Sequence, residues 1–345
     1  MAYGRPVTSK TQRSVRPTQK DIAAAAGVSQ AAVSMVLNKA DTPSVPGPTR
    51  ARILKLAAEL GYRPNHPARS LRSARTMTLA CVVPDITNPF YPGLVRGLQT
   101  TAAPAGYDVL IYDTDRTQEG ERRALNWLRQ GRADGVVGTF FHLQTADFAT
   151  LARERLPVVL LGRQDVSRRL LIDHVFIDNA AAAAALTRLL IRRGHRRIAM
   201  ILAEFGPGRV RAAGYRSVMR EAGLSTDFIV DSTYSEEGGA RAMQKLLSRK
   251  GPRPTAVFGA NDMLAIGVML AAREAGLAIP GDIAVVGFDD IPTAKLLGLT
   301  TARHPEFDLG ALAARTLIER LQPGGMKSRS RNLELKFEII ERSSA

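Results

Sequence analysis

The chain has 345 residues, 45% hydrophobic and 23% charged, which is globular material with apolar mass for two or three domains. A single cysteine, Cys81, excludes a disulfide scaffold and any multi-cysteine metal site, and no two of the five histidines lie close enough for a zinc pair. Lys and Arg outnumber Asp and Glu by 48 to 32, for a net charge of +16. The longest apolar run, Ala180 to Leu186, is far short of the roughly 18 residues of a membrane span, and the basic N-terminus has no apolar h-region. A cytoplasmic protein with no membrane partner and no metal is therefore expected.

The charge is unevenly placed. Met1 to Thr76 hold 13 basic residues against 3 acidic ones. Such a concentration suits a polyanion, because each neutralised phosphate releases condensed counterions. On charge alone a solubilising basic face is an equal reading.

Residues 1–16 read as a disordered basic arm. After it, Thr18 is placed to cap a helix whose inner face is Ile22, Ala23 and Ala26. Gly27 ends that helix, since glycine takes the positive φ of a tight turn. Ser29 is a second cap, opening a helix with Val33, Val36 and Leu37 inward. A third helix is expected over Pro48–Leu60, with Ile53, Leu56, Ala57 and Leu60 inward and Gly61 closing it. Two short helices around a Gly turn, followed by a third, form a helix-turn-helix over 17–62. Its second helix would expose Gln30, Ala31, Ser34 and Met35. Glutamine suits the N6 and N7 edge of adenine, an alanine methyl suits the methyl of thymine, and the amides near Ser29 suit a phosphate. The pattern alone is weak evidence for DNA binding, since many helical packing domains share it.

Residues 63–76 are basic and poor in large apolar groups, a linker. From Met77 short apolar runs alternate with amphipathic helices. The runs are MTLACVVP, YDVLIYD, GVVGTF and PVVLLG, then RIAMIL, TAVFGA and IAVVGFD. The helices are expected over Gly93–Ala105, Glu119–Gln130, Ala180–Arg193, Arg211–Ala222, Gly238–Lys250 and Met263–Ala275. Continuous apolar strands between helices indicate parallel sheets covered on both faces. Two such series give an α/β architecture of two doubly wound lobes, in which ligands sit off the carboxyl ends of the strands.

The run TQKDIAAAAGVSQAAVSMVLN (Thr18 to Asn38) with RILKLAAELGYRPNHPARSLRS (Arg52 to Ser73) resembles the N-terminus of the LacI family of bacterial transcription regulators. The resemblance continues through NPFY, FIDN, RRGHRRIAMI, RAAGY, AND and VVGFDD. It implies a helix-turn-helix headpiece followed by a type I periplasmic-binding-protein-like effector and dimerisation domain over 77–345. The first subdomain would take about 77–175 and 304–332, the second about 176–303 and 333–345, with a final strand near Leu333 to Ile340.

The resemblance implies a repressor that binds double-stranded operator DNA as a homodimer and answers to a small molecule, a sugar or a related metabolite, with no cofactor. Thr18, Ser29, Gln30, Ala31, Ser34 and Asn38 would face the operator. A hinge helix would carry Asn65 as cap, Ala68 in the minor groove and Leu71 as a wedge between bases, with Arg69, Arg72 and Arg75 on phosphates. Pro67 and Met35 depart from the family pattern. Leu71 has an alternative place against the core domain.

The effector would meet Arg211, Asn261 and Asp289, the aromatic wall of Phe90 and Tyr91, and Arg163 near the mouth. Each has an alternative: Asp289 and Asn261 as helix caps only, Phe90 and Tyr91 as ordinary core, and Arg163 as solvated. Gly162 stands where sugar-binding relatives often carry Asp, so an anionic ligand such as a sugar phosphate stays open. Two other classes compete. A solute receptor of this fold predicts a signal peptide and no headpiece. A doubly wound enzyme predicts a catalytic constellation, and neither a GxSxG elbow nor a complete phosphate loop occurs. Cys81 and His195 read as structural.

Overall fold

The computed structural model describes residues 17–38, 44–63, 75–164, 170–203 and 205–345. The chain divides into two units, Met1–Ala74 and Arg75–Ala345.

Among its described residues the first unit holds three helices, α1 (Gln19–Ala26), α2 (Gln30–Asn38) and α3 (Gly47–Glu59). Ile22, Ala23 and Ala26 of α1 meet Val33 and Val36 of α2 and Ile53 and Ala57 of α3 in one small apolar cluster. Gly27 turns the chain at φ 63°, and the Val28 N–H donates to the Ala23 carbonyl at 3.1 Å. The third helix ends at Glu59, one residue earlier than its periodicity suggests. Leu60 is consequently 40% exposed rather than inward, and Tyr62, beyond the Gly61 turn, packs on the cluster instead.

The second unit begins with β1 (Thr78–Val83), α4 (Phe90–Ala102), β2 (Asp108–Asp113), α5 (Gln118–Arg129), β3 (Gly135–Gly138), α6 (Thr145–Arg153), β4 (Val158–Leu161) and β5 (Ile172–Phe176). The chain then crosses to a second lobe with α7 (Asn179–Arg192), β6 (Ile198–Ala203), α8 (Gly208–Glu221), β7 (Ile229–Ser232), α9 (Glu236–Leu247), β8 (Ala256–Gly259), α10 (Asp262–Glu274), β9 (Ala284–Asp289), the short α11 (Pro292–Leu296) and β10 (Thr300–Arg303). It returns through α12 (Glu306–Leu321) and β11 (Asn332–Glu334), and crosses a third time to β12 (Glu338–Ile340). The strand orders are β11-β5-β4-β3-β1-β2 and β12-β10-β9-β8-β6-β7. Every pairing is parallel except β12 against β10.

Alternation along β1 shows why both faces need cover. Leu79, Cys81 and Val83 point into the layer holding α4 and α12, while Ala80 and Val82 point into the layer holding α5 and α6. The apolar runs from MTLACVVP to IAVVGFD thus form strands as expected. The final strand does not. It is two strands, and Leu333 belongs to the first sheet because β11 pairs with β5 in the register Leu333↔Val175. The last crossing therefore lies between Glu334 and Glu338, not at residue 333. A run read as one strand holds both sheets' last strands because Leu335 and Phe337 pack on the apolar clusters as the chain passes between them.

Candidate functional site

In the first unit, Thr18 and Asp21 lock the start of α1. The Thr18 N–H and hydroxyl both donate to Asp21 Oδ2, at 2.7 and 2.8 Å, which holds that carboxyl below its usual range. Ser29 Oγ accepts from the Ala32 N–H at 3.2 Å and caps α2. Gln30 and Ala31 are exposed, Ser34 is half-buried, and Met35 is exposed with its sulfur 3.8 Å from Ser44 Oγ. The helix-turn-helix thus presents an unburied face at the start of α2. Asn38 closes α2. Asn65, Pro67, Ala68, Arg69, Leu71 and Arg72 lie outside the described residues. Arg75, expected on a phosphate, is held here by protein groups. Its guanidinium donates to the Leu321 carbonyl at 2.5 Å and lies 3.5 Å from the Tyr107 hydroxyl.

In the second unit, the carboxyl ends of both sheets face a cavity of about 640 Å³. Phe90, Tyr91, Arg163, Arg211, Asn261 and Asp289 all line it. They are far apart in sequence and meet because each lies at or just past the end of a strand or in the first turn of the helix after one.

Arg211, 3% exposed on α8, organises the polar wall. Its Nε donates to Asn179 Oδ1 at 2.8 Å and one terminal nitrogen to the Ala260 carbonyl at 2.5 Å. The other terminal nitrogen sits 3.4 Å from Asp289 Oδ1 and 3.3 Å from His304 Nε2, and the guanidinium carbon lies 3.6 Å over the Phe288 ring. One side chain thereby joins the ends of β8, β9 and β10 to the start of α7. Burial pushes the Asp289 carboxyl up to about 6, with Arg211 pulling it back. Asp289 also holds φ 117°, a conformation that a non-glycine residue adopts only when its surroundings force it. Those surroundings include Asp262, buried behind it, which accepts from Thr301 Oγ1 at 2.6 Å and from the Ile291 N–H at 2.9 Å. Burial, then the charge of Asp289, drives the Asp262 carboxyl well above its usual range.

Asn261 does cap α10, its Oδ1 accepting from the Leu264 N–H at 3.0 Å, and it lines the cavity as well. Tyr91 is likewise both core and lining, and Phe90 sets its ring edge-on to Tyr91 and His304, 5.2 Å from each. Arg163 is exposed at the mouth and lies 5.4 Å over the Phe176 ring.

Sequence reasoning missed His304, Gln164 and Arg116. His304 is buried, and burial, then the charge of Arg211, drives its pKa well below the usual value. A guanidinium only donates, so His304 Nε2 accepts and the ring proton sits on Nδ1. That Nδ1 has no hydrogen-bond partner among the described residues, and neither has Gln164 Oε1. Both residues line the cavity, so the wall carries an unpaired donor and an unpaired acceptor. Arg116 closes the mouth: it pairs with Asp85 at 3.4 Å and donates across the lobes to the Tyr234 carbonyl at 3.2 Å. Beside it the His142 and Phe205 rings, one from each lobe, stand 4.5 Å apart. None of these three belongs to a short motif, and only the fold brings them to the cleft.

Cys81 is fully buried, its thiol pushed up to about 12, and His195 Nδ1 meets Thr255 Oγ1 at 3.1 Å, tying a loop to β8. Among the described residues no cluster of His, Cys, Asp and Glu could hold a metal, and no helix is long and apolar enough to cross a membrane.

A helix-turn-helix with an exposed recognition face, followed by two doubly wound lobes around a polar cavity, defines a DNA-binding transcriptional regulator controlled by a small molecule. Residues 18–65 match the family described as bacterial regulatory proteins, lacI family, and residues 187–345 match the periplasmic binding protein-like domain. The ribose operon repressor of Escherichia coli (strain K12) is 36% identical over 336 residues, covering 95% of this chain and 99% of the relative. The catabolite control protein A of Priestia megaterium is 34% identical over 306 residues, covering 87% and 91%. Among solved structures, the lac repressor dimer bound to operator and the anti-inducer ONPF gives a TM-score of 0.83 at 25% identity, covering 96% of this chain and 99% of that one. A cellobiose complex of the transcriptional regulator CelR gives 0.71 at 30% identity, covering 96% and 100%. The chain belongs to the LacI family of bacterial transcription regulators.

Proposed function

We propose that this chain is a cytoplasmic, homodimeric repressor, not an enzyme, whose operator affinity is set by a neutral sugar or sugar derivative held between its lobes. The observation that carries the effector reading is the Arg211–Asp289–His304 cluster on the cavity wall, with the Phe90 ring edge-on to His304 and Tyr91 beside it. A carboxylate that accepts adjacent hydroxyls, an amide at Asn261 and an aromatic face suit a polyhydroxylated ring. An anionic effector is less suited: Arg211 already faces Asp289, and Arg163 is solvent-exposed on Phe176. The ribose operon repressor and the cellobiose complex among its relatives support the sugar class.

At the operator, α2 would lie in the major groove with Gln30 and Ala31 at base edges, Ser34 beside them, and Thr18, Ser29 and Asn38 at the backbone. Asn65, Ala68, Arg69, Leu71 and Arg72 would form the minor-groove hinge. The test is selection of duplexes from a random library by the full chain, followed by gel shift with and without a sugar panel. Gln30→Ala is expected to relax preference at one base position by about 1–3 kcal/mol. Unchanged discrimination at every position would remove Gln30 from the recognition face.

A further inference from the structure

The cavity and the chain's exit toward the headpiece lie at opposite ends of the first lobe, and two helices join them. Helix α4 starts at the cavity with Phe90 and Tyr91, and α12 starts there two residues after His304. Both run toward the amino ends of the strands. They are locked together backbone to backbone: a Cβ on Gly97 would stand 2.0 Å from the Phe307 carbonyl oxygen, and one on Gly310 2.0 Å from that of Leu94. Contacts this close leave the pair no freedom to slide, so it moves as one body. Sixteen residues make α12 about 24 Å long.

Three arginines hold the far end of α12. Arg320 binds Asp173 through two bonds of 2.7 and 2.8 Å and also donates to the carbonyls of Gly325, Ser328 and Arg329. Arg331 donates to Asp173 Oδ2 and to the Thr316 carbonyl, each at 3.0 Å. Arg75 takes the last carbonyl of the helix, Leu321, at 2.5 Å. It is the first described residue after position 63 and lies within the segment 63–76 expected to be the hinge. Its neighbours are held too: the Thr76 and Met77 N–H groups donate to the two oxygens of Asp134, at 2.6 and 3.0 Å.

We propose that Arg75 is a positioning residue: it fastens the hinge exit to the end of α12, so that a shift at the His304 end of that helix reaches the DNA-binding segment. The inference rests on the effector-gated reading above. A merely basic residue at this place would serve as a phosphate contact, and the two roles separate by experiment.

The test uses full-length protein on a duplex selected as above, with thermal unfolding recorded for each variant to confirm folding. Arg75→Gln and Arg75→Lys are both expected to weaken binding at least fivefold, because lysine keeps the charge but lacks the guanidinium fork that reaches Leu321 and Tyr107. The salt dependence of binding is expected to stay unchanged. His304→Gln, combined with Arg75→Gln, is expected to depart at least threefold from the product of the single effects, although independent distant sites multiply within about twofold. Rescue by Arg75→Lys, together with a salt slope reduced by about 0.9 in Arg75→Gln, would make Arg75 a phosphate contact and overturn the proposal. So would a simple product of effects in the double variant. Failure to select any duplex defeats the operator-binding reading, and a gel shift that no sugar changes defeats the gating reading, in each case independently of Arg75.

Discussion

Asn261 shows how one side chain serves both architecture and recognition. Its Oδ1 is committed to the Leu264 N–H, which leaves the amide NH2 as the group able to meet a ligand. The two duties come apart by substitution. Asn261→Ser keeps a capping oxygen and is expected to unfold near the wild type in urea while losing effector affinity. Asn261→Ala is expected to lose affinity and also about 1 kcal/mol of stability, the usual worth of a cap. Asp289 gives a second test. Its carboxyl titrates near 6 in the folded chain, above the unfolded value of about 3.9. The folded state therefore binds the extra proton, and this group's contribution to stability falls as pH rises from about 4 to 6. On the proposed sugar reading, effector binding would have the opposite sense, because sugar hydroxyls would donate to the ionised carboxylate. Calorimetric affinity is expected to fall as pH drops through 6, and Asp289→Asn is expected to flatten that profile.

At the scale of elements, the α4–α12 pair depends on two glycines that are helical and need no unusual φ. They are there because the facing backbone leaves no room for a methyl. Gly97→Ala is expected to destabilise the chain by about 1–3 kcal/mol, read as a lower urea midpoint with unchanged slope. An unchanged midpoint would mean the helices can part without cost. Most elements were legible in the sequence because apolar runs such as RIAMIL and TAVFGA, fully buried as β6 and β8, need no partner information to be read. The unread ones carry the reason in their residues. β5 carries Asp173 and His174, polar groups whose burial makes sense only beside Arg320, 147 positions from Asp173, and the Gly162 carbonyl on the neighbouring segment. The cavity divided the same way: Arg211, Asn261 and Asp289 sit in motifs, whereas His304, Gln164 and Arg116 become meaningful only when lobes and strands meet.

For the whole molecule, three crossings between the lobes make a hinge about which the cleft can open and close. Two contacts span its mouth, Arg116 to the Tyr234 carbonyl and His142 against Phe205. Phe205 is 47% exposed, so removing its ring disturbs little of the core. Phe205→Ala is expected to raise the effector's dissociation rate several-fold while leaving thermal stability within about 0.5 kcal/mol. A release rate equal to that of the wild type would show that the rings do not restrain the cleft.

The interleaved path also orders events in time. Helices α1 to α3 are complete by residue 59, but each sheet of the second unit waits for a strand far along the chain, β11 from 332 and β12 from 338. On the ribosome, then, the headpiece can fold long before the sensing lobes can finish. A nascent or truncated product stopped before residue 332 would carry the nucleotide-reading surface with both metabolite-sensing sheets unfinished, so proteolytic clearance of such fragments bears directly on faithful regulation.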